Sequence, residues 1–222
     1  KKGTRGLKKF VPLLVLLFLT AWIFRAWFAF KTISAGDWEF LYPETINSFT
    51  LTPSSWSSFR GLGVNSLSTL WIGSYYHSTA FISNQIFKIP WLVAGKLIWF
   101  WPFLILTIFS SWYLARTLFP KEKIIHFFTP FIYLFNTYVL MIVGGGQMGI
   151  AMAYSLAPLV FAIFVKNITK GTLRFKILSG LVLALQVMFG PRISFLTMGA
   201  VFLYAVFQYG LAMRKYLKVF IL

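Results

Sequence analysis

The chain has 222 residues, of which 59% are hydrophobic, 20% aromatic and only 11% charged; an ordinary soluble domain, about a quarter charged, is excluded. Its formal charge of +17 falls in clusters that alternate with apolar runs, the pattern of loops on one side of a membrane, which argues against nucleic acid as a partner and for anionic lipid head groups. The absence of cysteine excludes disulfides, thiolate-held metals and thiol catalysis.

These features predict an all-α membrane protein with about six transmembrane helices. A single transmembrane domain spans 1–222, and its long first extracytoplasmic loop, 32–90, carries an interfacial helix. The chain starts on Lys1 and ends in the apolar KYLKVFIL, so it reads as the N-terminal part of a longer protein.

The first apolar run, FVPLLVLLFLTAWIFRAWFAF (10–30), follows the basic KKGTRGLKK. It exceeds the roughly 7–15 residues of a signal-peptide core and contains Arg25, so it reads as a retained helix rather than a cleaved one. Arg25 lies near its outer end, where a long cationic side chain snorkels to the interface. The region 32–90 is more polar, with Pro43, Pro53 and a GLG at 61–63. Its second half, VNSLSTLWIGSYYHSTAFISNQIF, has apolar side chains at 64, 67, 71, 75, 82 and 86. Those spacings predict a helix lying in the interface plane.

Five more helices follow. The second spans 96–119 with Pro102 inside it, and the third 124–143 with Pro130. GGGQMG makes a tight turn, and the fourth helix, 150–165, contains Pro158. Each proline frees a carbonyl that a neighbouring group must take. The fifth, ILSGLVLALQVMF, rises only about 20 Å; it needs the preceding turn, 173–176, or it is re-entrant. The sixth, 193–213, follows a GPR at 190–192.

Lys and Arg number five before the first run, and three, four and three around the loops after the second, fourth and sixth helices. This bias places the N-terminus in the cytoplasm and 32–90 outside a plasma (cell) membrane. The Asn167-Ile168-Thr169 sequon then falls in a cytoplasmic loop and reads as accidental.

Three of the four acidic residues, Asp37, Glu39 and Glu44, sit together in ISAGDWEFLYPET, 33–45. Gly36 favours a turn just before them. In an extended segment Asp37 and Glu39 face one way and Trp38 the other. Two such carboxylates suit a divalent cation, Mg or Mn, held through oxygen. They equally suit a general base with a partner that orients the reacting hydroxyl. They also read simply as marks of a translocated loop.

One long helix, an outer loop opening on an acidic pair, and an interfacial helix together resemble the GT-C superfamily of membrane glycosyltransferases. GDWEF, WSSFRGLGVN (56–65) and FNTYVLMIVGGGQMGIAMAYSLAPLVF resemble its YfhO-like and arabinofuranosyltransferase-like branch. The resemblance implies a polyprenyl-phosphate sugar donor and a glycan, lipid or protein acceptor outside the membrane. It implies transfer with inversion, Asp37 as the base, and Glu39 as a second catalytic or metal-binding acid. The pair here is D-x-E where some members have D-x-D, which leaves the metal open. A phosphate leaving group calls for cations, and Arg192, Arg60 and Lys88 are the candidates. Gln147 and His77 are further candidates for binding substrate, beside bland readings as a turn residue and a polar interface residue. The Trp and Tyr residues at helix ends read as aromatic belts.

The alternative functions are a transporter or flippase of lipid-linked sugars and a non-catalytic assembly protein. A transporter would place ionisable groups near the bilayer midplane, and no acid falls inside a predicted span. The orientation has a direct test. A cysteine replacing Ser48 should react with an impermeant thiol reagent added to intact cells, and one replacing Lys121 should not. The reverse pattern of labelling would invert the topology.

Overall fold

The helix that organises the chain is predominantly apolar and is the most buried of the spanning stretches, enclosed by other helices. This is α9 (Met148–Lys170), whose buried residues extend from Met148 to Ile168. Packed against it are α6 (Trp101–Leu118), α10 (Leu173–Phe189), α11 (Pro191–Tyr209) and the shorter α8 (Thr137–Gly144). The computed structural model describes residues 3–38, 42–47, 49–51, 56–57, 64–65 and 70–210. Among these the body is helical, and the one sheet is a two-residue antiparallel pair, β1 (Trp56–Ser57) with β2 (Val64–Asn65). That pair sets Trp56 opposite Asn65, joining the two ends of the W…GLG.N stretch.

Before α6 the chain forms α1 (Gly3–Ile23), α2 (Arg25–Phe28), α3 (Pro43–Asn47), α4 (Leu70–Phe81) and α5 (Trp91–Gly95); α7 (Lys123–Leu134) follows α6. Among the described residues four stretches are long and apolar enough to cross a membrane: Trp91–Leu118, Lys123–Gly144, Met148–Lys170 and Pro191–Tyr209. The chain is thus a helical membrane protein. The fifth predicted segment is one helix from Leu173, so the 173–176 turn does extend it. Its seventeen residues rise about 26 Å.

Prolines and a helix break shape the spanning segments, and the groups freed at Pro102 and Pro158 have partners from other helices. Pro102 has no N–H, so the Ile98 carbonyl four residues earlier loses its donor. The Tyr75 hydroxyl of α4 donates to it at 3.0 Å. The helix is also widened into a π-turn over Lys96–Phe100 just before the proline. Pro158 frees the Tyr154 carbonyl in the same way, and the Tyr133 hydroxyl of α7 takes it at 2.9 Å.

The predicted third helix is interrupted at 135–136, between α7 and α8. Asn136 makes the break self-sufficient. Its side-chain oxygen caps α8 at the Val139 N–H, and its amide donates to the Ile132 and Tyr133 carbonyls. The Tyr154 hydroxyl donates to the Tyr133 carbonyl at 3.0 Å, so the two tyrosines bond reciprocally. Their rings stack at 4.2 Å with 8° between planes.

The predicted interfacial helix packs only part of its apolar stripe against the bundle. The sequence pattern put 75, 82 and 86 on one apolar stripe, but Ile82 and Ile86 are exposed. The packed face instead carries Ile72, Tyr75, Tyr76, Ala80 and Ser83. Two aromatic residues and small side chains let this face sit close to Trp99 and Phe189, which a stripe of aliphatic residues does not reveal.

Tyr133→Phe keeps the stacked ring and strands the Tyr154 carbonyl. It should lower stability by about 1 kcal/mol, the scale of hydrogen bonds between membrane helices. Tyr138→Phe, at an exposed ring, should change little. Reversible unfolding in mixed micelles measures both.

Candidate active site at one end of the bundle

Short links make successive helices antiparallel, so the chain segments 31–38, 144–148 and 190–191 come to one end of the bundle. The links 119–122 and 171–172 come to the other. The first end holds Asp37, Gln147 and Arg192. The opposite end collects Arg116, Lys121, Lys123, Lys170, Arg174 and Lys176.

Asp37 lies in a tight turn closed by two backbone hydrogen bonds between Ala35 and Trp38, at 3.2 and 3.0 Å. The turn needs Gly36 in the left-handed region, at φ 53°, where a side chain is disfavoured. It sits directly on the glycine turn of 144–146. The Asp37 N–H donates to the Gly145 carbonyl at 2.8 Å. A Cβ at Gly36 would fall 2.1 Å from the Gly145 oxygen, and one at Gly146 would fall 1.9 Å from the Ala35 oxygen. Gly146 is also left-handed, at φ 72°. The two motifs singled out in the sequence, GDW and GGGQMG, therefore make one backbone-to-backbone joint.

Trp38 locks that joint from below. It is only 7% exposed. Its ring stacks on Trp91 at 6.0 Å and meets Trp99, Phe100 and Tyr76 edge-on at 5.7, 5.0 and 6.2 Å. Such aromatic pairs each contribute about 0.5–1.5 kcal/mol beyond the burial of their area. With the indole held inside, the Asp37 carboxylate is left at the surface. The opposed directions expected for residues 37 and 38 hold, within a turn rather than a strand.

Lys96 is the feature that the sequence reading passed over. It is 7% exposed, and its ammonium donates to the Ala29 carbonyl and, at 2.9 Å, to that of Lys31. Trp101 adds an indole N–H to the Trp27 carbonyl at 3.2 Å. These donors satisfy carbonyls where the first helix ends, and a cation suits that negative end of the helix dipole. The signal was present: one Lys set inside an otherwise apolar run.

The other candidates divide. Gln147 is exposed at the N-terminus of α9. Arg192 is exposed in the first turn of α11. It is carried to the same end by the close seat of Gly190 on Ile150 and Ala153. Lys88 is exposed and left-handed, at φ 56°, in the turn that ends the helix before α5, where the Ile89 N–H returns to the Ser83 carbonyl. His77 is half-buried with its ring stacked on Phe49 at 4.2 Å. Gln85 holds Phe49 there by donating to the carbonyls of Ile46, Asn47 and Phe49. Burial lowers the His77 pKa, which keeps its imidazole neutral at pH 7. Glu39 and Arg60 lie outside the described residues.

Among the described residues no three His, Asp or Glu side chains converge. Asp37 is the described half of the D-x-E pair. An exposed carboxylate suits a hydrated Mg2+, which commonly binds proteins through one or two carboxylates and retains waters. Asn167 of the sequon is 2% exposed and donates to Ser179, so its side chain is committed to packing. No family model, curated protein or solved structure matches the chain.

The glycine joint separates two substitutions that look alike in sequence. Gly146→Ala should displace the 35–38 turn and lower thermal stability. Gly144→Ala, with open space around its added methyl, should do neither. Protease accessibility of the first loop would report the displacement, and equal behaviour of the two variants would remove the joint's importance.

Proposed function

We propose that this protein is a glycosyltransferase of the GT-C type, moving a sugar from a polyprenyl phosphate to an acceptor hydroxyl outside the membrane. In this reading α1 and α10 also cross the bilayer, giving six spans. The N-terminus is cytoplasmic, and the end of the bundle carrying Asp37 is extracytoplasmic in the plasma membrane. The gathering of Arg and Lys at the opposite end supports that orientation.

The observation that carries the proposal is an exposed carboxylate on a turn fixed by backbone and aromatic contacts, at the same end as an exposed arginine. A general base needs a defined position before a favourable pKa helps. In the step, the Asp37 carboxylate takes the proton of the acceptor hydroxyl as its oxygen bonds to the anomeric carbon. The bond from that carbon to the phosphate oxygen breaks, and its electron pair leaves with the polyprenyl phosphate. Attack opposite the leaving group inverts the centre. Arg192 receives the phosphate charge, and Gln147 offers an amide to sugar hydroxyls. Asp37 and Glu39 would hold a Mg or Mn ion, which would add positive charge against the phosphate.

Asp37→Asn in the full protein should abolish transfer while leaving expression and membrane insertion normal. Arg192→Lys should be milder than Arg192→Ala, since a point charge remains where the fork is lost. Product formation from a polyprenyl-phosphate sugar measures both, and an Asp37→Asn enzyme with undiminished product would remove the base.

A further inference from the structure

Against the cage that holds the Trp38 ring lies a cleft of about 240 Å3 lined by Ile72, Gly73, Tyr76, His77 and Trp99. Two of these, Tyr76 and Trp99, also hold the Trp38 ring, so the cleft and the turn share a wall. Its lining is chemically distinctive. It contains no charged side chain. It does contain two polar groups with nothing to bond. The Trp99 indole N–H is buried without a partner, in a residue only 2% exposed. Among the described residues neither ring nitrogen of His77 is hydrogen-bonded. Phe49 covers one face of that imidazole, which leaves the ring edge for a ligand. The neutral ring offers one donor and one acceptor.

Each class of ligand meets these groups differently. An acyl chain would fill the aromatic walls but cover the imidazole edge and leave its nitrogens unsatisfied, an unfavourable outcome. A phosphate or carboxylate would find no cation among the described lining residues. A neutral sugar ring matches both kinds of group. Its C–H faces lie on aromatic rings, a hydroxyl oxygen accepts from the imidazole N–H, and a hydroxyl donates to the bare imidazole nitrogen. The volume is below the roughly 300–1,000 Å3 that encloses a drug-sized ligand, so it takes one ring rather than a long chain.

We propose that this cleft binds a single neutral sugar ring and that, on the transferase reading, the ring belongs to the acceptor, placed beside Asp37. The donor is disfavoured there because the described lining holds no cation for its phosphate. His77 and Trp99 are then binding residues, and Phe49, held by Gln85, positions the imidazole.

The chain has two histidines, which gives a clean test. His126 lies near the opposite end, with its Nε2 2.7 Å from the Phe119 carbonyl, and serves as the internal control. The full chain, in nanodiscs free of glycoside detergents, is treated with diethyl pyrocarbonate, and modification of each histidine is followed by mass spectrometry. Millimolar methyl glycosides of hexoses and pentoses should slow modification of His77 severalfold and leave His126 unchanged. Decanoate and glucose 1-phosphate should protect His77 less than the best glycoside. No protection by any glycoside, or equal slowing at both histidines, would overturn the proposal, as would better protection by decanoate. Saturation-transfer NMR with the best glycoside adds variants. His77→Phe keeps the stack on Phe49 and should lose the signal while its thermal unfolding stays near wild type. A full signal from a folded His77→Phe would also overturn it. The Asp37→Asn protein separates the two readings. Protection of His77 there, with transfer abolished, supports both. Protection with transfer intact keeps the cleft and removes the base. No protection with transfer abolished removes the cleft and keeps the base.

Discussion

A single 2.8 Å hydrogen bond, from the Asp37 amide to the Gly145 carbonyl, couples the first loop to the α8–α9 turn at one end of the bundle. It exists only because two glycines face each other. Any Cβ at Gly36 or Gly146 would stand inside the opposing backbone. From this joint the rest of the site follows. Trp38 is driven into a cage of Tyr76, Trp91, Trp99 and Phe100, and Asp37 is turned out. The same cage borders Lys96, whose ammonium grips the carbonyls ending the first helix. The first helix, the loop, α4 and the spanning segment from Trp91 are thus fastened at one place.

A second constraint runs through the bundle. Inside a bilayer a carbonyl without a donor has no water to turn to. Pro102 and Pro158 each free one, and in each case a tyrosine from another helix supplies the hydroxyl. These bonds do more than repair backbone. Tyr75 pins α4 to the π-turn of the spanning segment, which sets its neighbours Tyr76 and His77 against Trp99 and shapes the cleft. Stability and candidate function here draw on the same side chains.

The two ends of the bundle differ in chemistry as well as position. One is ringed with lysine and arginine and has tight helix-to-helix links. The other carries the long first loop, the exposed Asp37 and Arg192, and an aromatic wall. On the proposed transferase reading, that combination would serve as a fixed base, a cation for the phosphate and an uncharged surface for the acceptor.

The amino-acid sequence alone determined the class of molecule. Apolar runs of spanning length, alternating basic clusters and turn residues at 36, 144–146 and 190 depend on local chemistry, and the helices formed close to the expected places. It also marked the prolines as points needing outside donors. What only the tertiary structure decided was which residues meet. The partners of Pro102 and Pro158, the break at Asn136, the true packed face of α4 and the burial of Lys96 all depend on groups distant in the chain. The contact of α4 with the bundle was not legible because it is made by aromatic and small side chains rather than aliphatic ones. The seat of Gly36 on Gly145 was invisible for a similar reason: a glycine's fitness for close approach shows in sequence only as a missing side chain, and the backbone it approaches is named nowhere until the chain has folded.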